Sequence, residues 1–188
     1  IKQLLELGHT VTSYDNYSTG LTSNHQRGAT YLKRNIVDCE IEDGYDVIYH
    51  MAAIARIQPS FNQPDKYFLN NAYATLRLAK YCSENNIPLI YAGSSSHHSG
   101  KFKNPYTFSK DIGEESIELF QQHYNLKSSI ARFYNVYGPY HLKEGGYCTL
   151  IGSWERMIEN NEPLIIYGTG EKRRDFTHVD DIVDGLIR

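Results

Sequence analysis

The sequence predicts an α/β fold built on a doubly wound parallel sheet. Two observations carry this reading. Short, β-branched apolar runs alternate with amphipathic helical stretches through most of the chain, and that rhythm lays parallel strands between helices. The 188 residues are 40% hydrophobic and 22% charged, an ordinary globular balance that suits one domain or one domain and part of a second.

The elements follow in order. Residues 1–7 read as a helix, with Gly8 as its stop. Residues 10–14 form a β-branched strand that ends at Asp15; residues 30–32 and 46–50 are two further short strands. Residues 65–85 read as one long helix with apolar positions at Leu69, Ala72, Leu76 and Ala79. A strand over 88–92 runs into a Gly/Ser loop. Asn104 is a good N-cap and Pro105 a good first residue for a helix over 105–124. Residues 128–133 form the next strand. After Gly138 the rhythm breaks: residues 151–160 read as a helix, 164–167 as a short strand, and Asp180 as the cap of a last helix. The expected organisation is therefore one domain over 1–138 and the start of a second region over 139–188. The chain opens in mid-helix without Met and closes on an apolar helical pattern, so both ends read as cut from a longer protein.

Composition narrows the function. The net charge is −3, which gives no support to nucleic-acid binding. No apolar run is long enough to span a bilayer. Cys39, Cys82 and Cys148 are far apart, odd in number and without zinc spacing, so neither a disulfide framework nor a metal site is expected and a reduced, cytoplasmic setting is the default.

The residues that carry chemistry begin with Tyr106 and Lys110. Four apart, they share one face of a helix near its positive end. A tyrosine beside an ammonium there is expected to have a lowered pKa and to act as a general acid/base. With 16 tyrosines in the chain, chance alone supplies about one Y-x-x-x-K, so the context decides. That context is the strand ending in Gly93-Ser94-Ser95-Ser96, which presents hydroxyls at the carboxyl end of a strand, where α/β folds bind ligands. Asp15 ends an earlier strand, where an acid accepts hydrogen bonds from ribose hydroxyls and disfavours a 2′-phosphate; the competing reading is a simple Asp-Asn turn. The small residues of His50-Met51-Ala52-Ala53 permit close backbone approach to a cofactor or plain core packing. His97-His98 has no companions at metal-ligand spacing and reads as surface imidazoles.

Taken together these segments resemble the extended short-chain dehydrogenase/reductase family, in the branch that acts on nucleotide sugars and includes UDP-galactose 4-epimerase. Leu7-Gly8-His9 with Tyr14-Asp15-Asn16 is similar to the family's first helix and second strand, and Tyr49-His50-Met51-Ala52-Ala53 to its H-x-A-A element. Asn70-Asn71 resembles an asparagine pair near the nicotinamide, and Ser94-Ser95-Ser96 with Tyr106 and Lys110 the catalytic elements. Arg132-Phe133-Tyr134-Asn135-Val136-Tyr137-Gly138-Pro139 and Arg174-Asp175-Phe176-Thr177-His178-Val179-Asp180-Asp181 resemble two further elements. The resemblance implies a Rossmann-type domain whose first strand and glycine-rich loop would precede Ile1. It implies NAD as cofactor, contacted by Asp15, Asn16, Met51, Ala52, Ala53, Asn70, Tyr106, Lys110 and Tyr134. It assigns catalysis to Tyr106, Lys110 and Ser95, Ser95 being placed by counting back five from Gly100. It implies a nucleotide-diphosphate sugar held by Ser94, Ser95, Ser96, Asn135 and Arg174. It also implies a homodimer packed through helices 65–85 and 105–124.

This sequence departs from the family pattern in one place. The segment from His97 to Pro105 is shorter than usual and lacks the family's V-Y-G turn. Acids that follow the catalytic hydroxyl residue in 4,6-dehydratases are replaced by Ser96 and His97, which favours a 4-epimerase. The alternatives are a dehydratase or reductase on the same scaffold, and an inactive piece that folds by self-association.

Overall fold

Parallel pairing is the rule throughout the chain. The computed structural model describes residues 1–166 and 168–188. It falls into two compact units, Ile1–Phe133 and Tyr134–Arg188. The first holds α1 (Lys2–Glu6), β1 (Thr12–Asp15), β2 (Thr30–Lys33), β3 (Ile48–His50), α2 (Pro64–Tyr67), α3 (Ala74–Asn85), β4 (Leu89–Ser94), α4 (Pro105–Tyr124) and β5 (Ser128–Phe133). β1 pairs with β2, and β3, β4 and β5 lie side by side with β4 in the middle. The α/β class and its parallel pairing agree with the alternation in the sequence.

The core lies where α3 and α4 pack on the central strand. Leu78, Ala79 and Cys82 of α3 meet Leu89 and Tyr91 of β4 and Ile117 and Phe120 of α4. α4 is set by its first residues: Asn104 Oδ1 accepts from Thr107 N at 2.8 Å, and Pro105 occupies the first turn. It ends at Asn125, in the left-handed region at φ +54, where asparagine is tolerated. Two glycines allow its close approach to β4. A Cβ at Gly113 would meet Tyr91 Oη at 2.7 Å, and one at Gly93 would meet Glu114 Oε1 at 2.6 Å.

The expected helix over 65–85 is not uniform. Between α2 and α3 the segment Phe68–Tyr73 is π-helical. A π turn takes more residues than an α turn, so the expected stripe of Leu69, Ala72, Leu76 and Ala79 is split: Ala72 and Ala79 are buried, whereas Leu69 and Leu76 are exposed.

The second unit contains β6 (Asn135–Tyr137), α5 (Leu150–Glu159), β7 (Phe176–His178) and α6 (Val179–Ile187), with β6 parallel to β7. It begins at Tyr134 rather than after Gly138, because β6 finds its partner in β7 and not in β5. Neither strand is legible as an apolar run. Leu164–Ile166 is not a strand, and Tyr167, the last residue of that expected strand, lies outside the described residues. The cap of α6 is His178, whose Nδ1 accepts from Asp180 N, rather than Asp180 itself.

Candidate active site

The carboxyl end of β4 delivers Ser94 next to the first turn of α4. Tyr106 Oη donates to Ser94 Oγ at 3.2 Å, and Ser94 Oγ also lies 2.9 Å from Ser96 Oγ and accepts from Ser96 N. Of the three serines in the loop, it is therefore Ser94 whose hydroxyl meets the phenol. The strand runs two residues further than the expected 88–92 boundary, and this brings Ser94 level with Tyr106. The ring of Tyr67 stands edge-on to that of Tyr106, 6.3 Å between centroids.

Lys110 lies one turn on. Its Nζ donates to Ala92 O at 2.8 Å and sits 4.1 Å from the centre of the Tyr91 ring. Burial pushes its pKa down to about 7, opposed by Glu114. The expectation of a lowered Tyr106 pKa is not met. Burial raises it, while the Ser94 hydrogen bond and the Arg56 guanidinium pull the other way. The reason is geometric: the Lys110 ammonium is turned toward the Ala92 carbonyl and the Tyr91 ring.

The loop after β3 is clamped from α4's neighbour. Asn71, turned inward by the π segment, accepts from Ile54 N at 2.8 Å and donates to Ile54 O and Ser109 Oγ, each at 3.0 Å. Tyr67 Oη donates to Ala55 O at 2.9 Å. Arg56, between these clamps and the turn Gln58–Phe61, has a left-handed backbone at φ +86, a costly conformation for a residue with a Cβ. His50 is buried, with Nε2 at 2.9 Å from Thr75 Oγ1, and burial with the nearby Lys110 pushes its pKa down to about 3, so it is neutral at ordinary pH.

The remaining expected residues are placed as follows. Asp15 ends β1; its Oδ1 accepts from Tyr17 N at 2.7 Å, and Asn16 Oδ1 accepts from Ser18 N. The Asp-Asn turn and the strand-end carboxylate are thus both present. Met51 and Ala53 are exposed and Ala52 is half-buried. Asn70 Nδ2 bonds to Lys66 O on its own helix, so the inward-facing member of the asparagine pair is Asn71. Tyr134, Asn135 and Arg174 belong to the second unit. Tyr134 is exposed, Asn135 Nδ2 donates to Asp175 O, and Arg174 Nη1 donates to Arg173 O.

Sequence reasoning named the Asn70-Asn71 pair but gave the contact to Asn70, and it missed Arg56 and a charged cluster on the first half of α4. Arg132 makes two hydrogen bonds to Glu114 Oε2, at 3.0 and 2.8 Å, and His97 Nδ1 stands 3.0 Å from Asp111 Oδ1. The signal that was available is periodic. Asp111 and Glu114 fall on the inner face of α4 that also buries Ile117 and Phe120, and buried carboxylates need partners.

The sequence profile of the NAD dependent epimerase/dehydratase family matches residues 1–188. The chain belongs to that family. It is 31% identical over 173 residues to an uncharacterized UDP-glucose epimerase, YtcB, of Bacillus subtilis, covering 84% of this chain and 54% of the relative. Among solved structures it resembles the UDP-N-acetylglucosamine 4-epimerase of Methanobrevibacter ruminantium in complex with UDP-N-acetylmuramic acid. That match has a TM-score of 0.87 and 30% identity and covers 95% of this chain and 64% of that one. It also resembles the Bordetella bronchiseptica enzyme WbmF in complex with NAD+, with a TM-score of 0.87, 26% identity and coverage of 99% and 63%. The chain thus spans between half and two thirds of the length of these relatives.

The family's cofactor is NAD, and the residues present suit its ribose groups. The Asp15 carboxylate keeps acceptor capacity at Oδ2, which faces Gly20; a Cβ there would press to within 3.0 Å of it. The Lys110 ammonium carries three donors, one of which goes to the Ala92 carbonyl. A carboxylate at a strand end and an ammonium on α4 are an acceptor and a donor of the kind that ribose diols require.

Proposed function

We propose that the chain forms the NAD-binding and catalytic part of a nucleotide-sugar 4-epimerase, acting on a UDP-glucose/UDP-galactose type of substrate. One observation carries the reading: a phenol on the first turn of a capped helix, hydrogen-bonded to a strand-end serine, with a buried lysine one turn behind it. Tyr106 takes the proton of a sugar hydroxyl and later returns it. Ser94 holds the same oxygen through its Oγ, a role that the resemblance gives to Ser95. Lys110 supplies N–H donors toward a ribose. Asp15 and Asn16 face the adenosine side, Met51, Ala52 and Ala53 line the backbone approach, and Asn71 holds that loop in place. The resemblance assigns Tyr134 to the nicotinamide, Asn135 to the sugar and Arg174 to the diphosphate. Bound NAD would supply reversible hydride acceptance at the sugar carbon, so there would be no net oxidation.

No carboxylic acid stands at positions 95, 96 or 97, which hold Ser95, Ser96 and His97; this supports epimerisation over dehydration, since expelling a hydroxyl needs a proton donor beside it. The test is incubation of the full-length protein with UDP-galactose and NAD. Formation of UDP-glucose supports the reading, and a 4-keto-6-deoxy sugar would assign the dehydratase instead. A homodimer through α2–α3 and α4 belongs to the same reading. Phe68, Leu69, Tyr73 and Leu76 leave an apolar stripe on that face, which a partner copy would cover. Ala79 is fully buried and takes no part.

A further inference from the structure

His97 lies in the Ser95–Ser99 turn, which follows Ser94 directly. The turn leaves the strand and ends at Gly100, at φ +101, a conformation that glycine adopts freely. Its distance from α4 therefore depends on side-chain ties. Hydrogen bonds from the residues in and beside this turn reach α4. Tyr106 donates to Ser94 at 3.2 Å, His97 Nδ1 donates to Asp111 Oδ1 at 3.0 Å, and Lys101 Nζ donates to Glu115 at 2.6 Å. The last is an exposed pair, and such pairs contribute little. The first is at the long end for an O–H···O bond. The second ends on a carboxylate that is only 6% exposed, and a charge-assisted hydrogen bond to a buried acceptor is the strong kind.

The surroundings leave Asp111 to His97. The neighbouring carboxylate of Glu114 is also buried, but its Oε2 is taken by Arg132, and His97 Nδ1 is 3.8 Å from it. The imidazole thus faces two carboxylates, of which one has its own cation. Asp111 follows Lys110 in the chain, so a link from the serine turn to Asp111 fixes the turn against the part of α4 that carries both Tyr106 and Lys110.

We propose that His97 is a positioning residue: its Nδ1–H, bonded to Asp111, pins the serine turn to α4 and keeps Ser94 Oγ on the Tyr106 phenol. This rests on the epimerase reading for its effect on rate, though not for the hydrogen bond itself. The shortened segment between the serines and Tyr106 gives a reason for such a tie, because a turn that lacks the usual residues needs another anchor.

The test uses three variants of the full-length protein, H97A, H97N and D111N, and one spectroscopic readout. The asparagine amide nitrogen stands at the same distance from Cβ as Nδ1, so H97N keeps the donor and loses everything at Nε2. Misplacing a reacting group by about 1 Å costs up to roughly 10²-fold in rate. H97A is therefore expected to lower kcat by roughly 10- to 10²-fold with KM little changed, and H97N to recover most of it. Equal loss in H97A and H97N would overturn the proposal in favour of proton transfer at Nε2, and an unimpaired H97A would overturn it outright. The readout that needs no activity is ¹⁵N NMR of the histidine rings. The signal absent from H97N is expected to show a protonated Nδ1 that changes in D111N; an Nε2–H tautomer refutes the bond. Should the wild-type protein turn over no nucleotide sugar, the epimerase reading fails, and the NMR result still decides the tie.

Discussion

At the residue scale, the site depends on where two polar atoms end and how deeply they lie. Tyr106→Phe removes only Oη and keeps the ring against Tyr67. Activity is expected to fall by roughly 10²- to 10⁴-fold, the range of a lost general acid/base, with the melting temperature little changed; steady-state kinetics and thermal melting check both parts. Lys110 carries a pH signature. Its ordinary value of 10.5 is pushed down to about 7 by burial. Between those values the unfolded chain binds the extra proton, so stability is fully present above about pH 10.5 and is lost as pH falls toward about 7. Lys110→Met lacks this titration. The wild-type melting temperature is expected to drop relative to the variant as pH is lowered through that window, and a pH-independent difference would contradict the assignment.

At the scale of elements, the closeness of α4 to β4 decides whether the pair and the serine meet. Gly93 permits it. Besides the Glu114 contact, a Cβ there would lie 3.0 Å from Ile130 Cγ2 and 3.1 Å from Arg132 Cγ. Gly93→Ala is expected to destabilise the protein by about 1–3 kcal/mol through overpacking, measured by urea unfolding, and to weaken the Arg132–Glu114 pair. The π segment plays a comparable part for the other wall. By rotating Asn71 inward it ties the loop at Ile54 to Ser109 of α4. The sequence announced the capped start of α4 through Asn104 and Pro105, because caps act locally. It did not announce the π turn, since the same residues satisfy an α-helical period and only contacts made far along the chain tip the balance.

At the scale of the molecule, the apolar stripe of Phe68, Leu69, Tyr73 and Leu76 is exposed by between 38% and 45%, more than a lone surface needs. If two copies cover it, Leu76→Glu shifts the full-length protein from dimer to monomer, as read by sedimentation velocity; an unaltered mass would exclude this face. Among the described residues no helix is long and apolar enough to cross a membrane. Alternating strands and helices, the capped Y-x-x-x-K helix, the strand-end serines and the order of the motifs were legible in the sequence, because period, caps and spacing act within a few residues. The tertiary structure alone decided which serine meets Tyr106, which asparagine turns inward, that the Lys110 ammonium is turned to a carbonyl, and that β6 pairs with β7. Each of these depends on the phase of one element against another, set by close packing and by the need of buried polar groups for partners, and neighbours in sequence do not determine that phase.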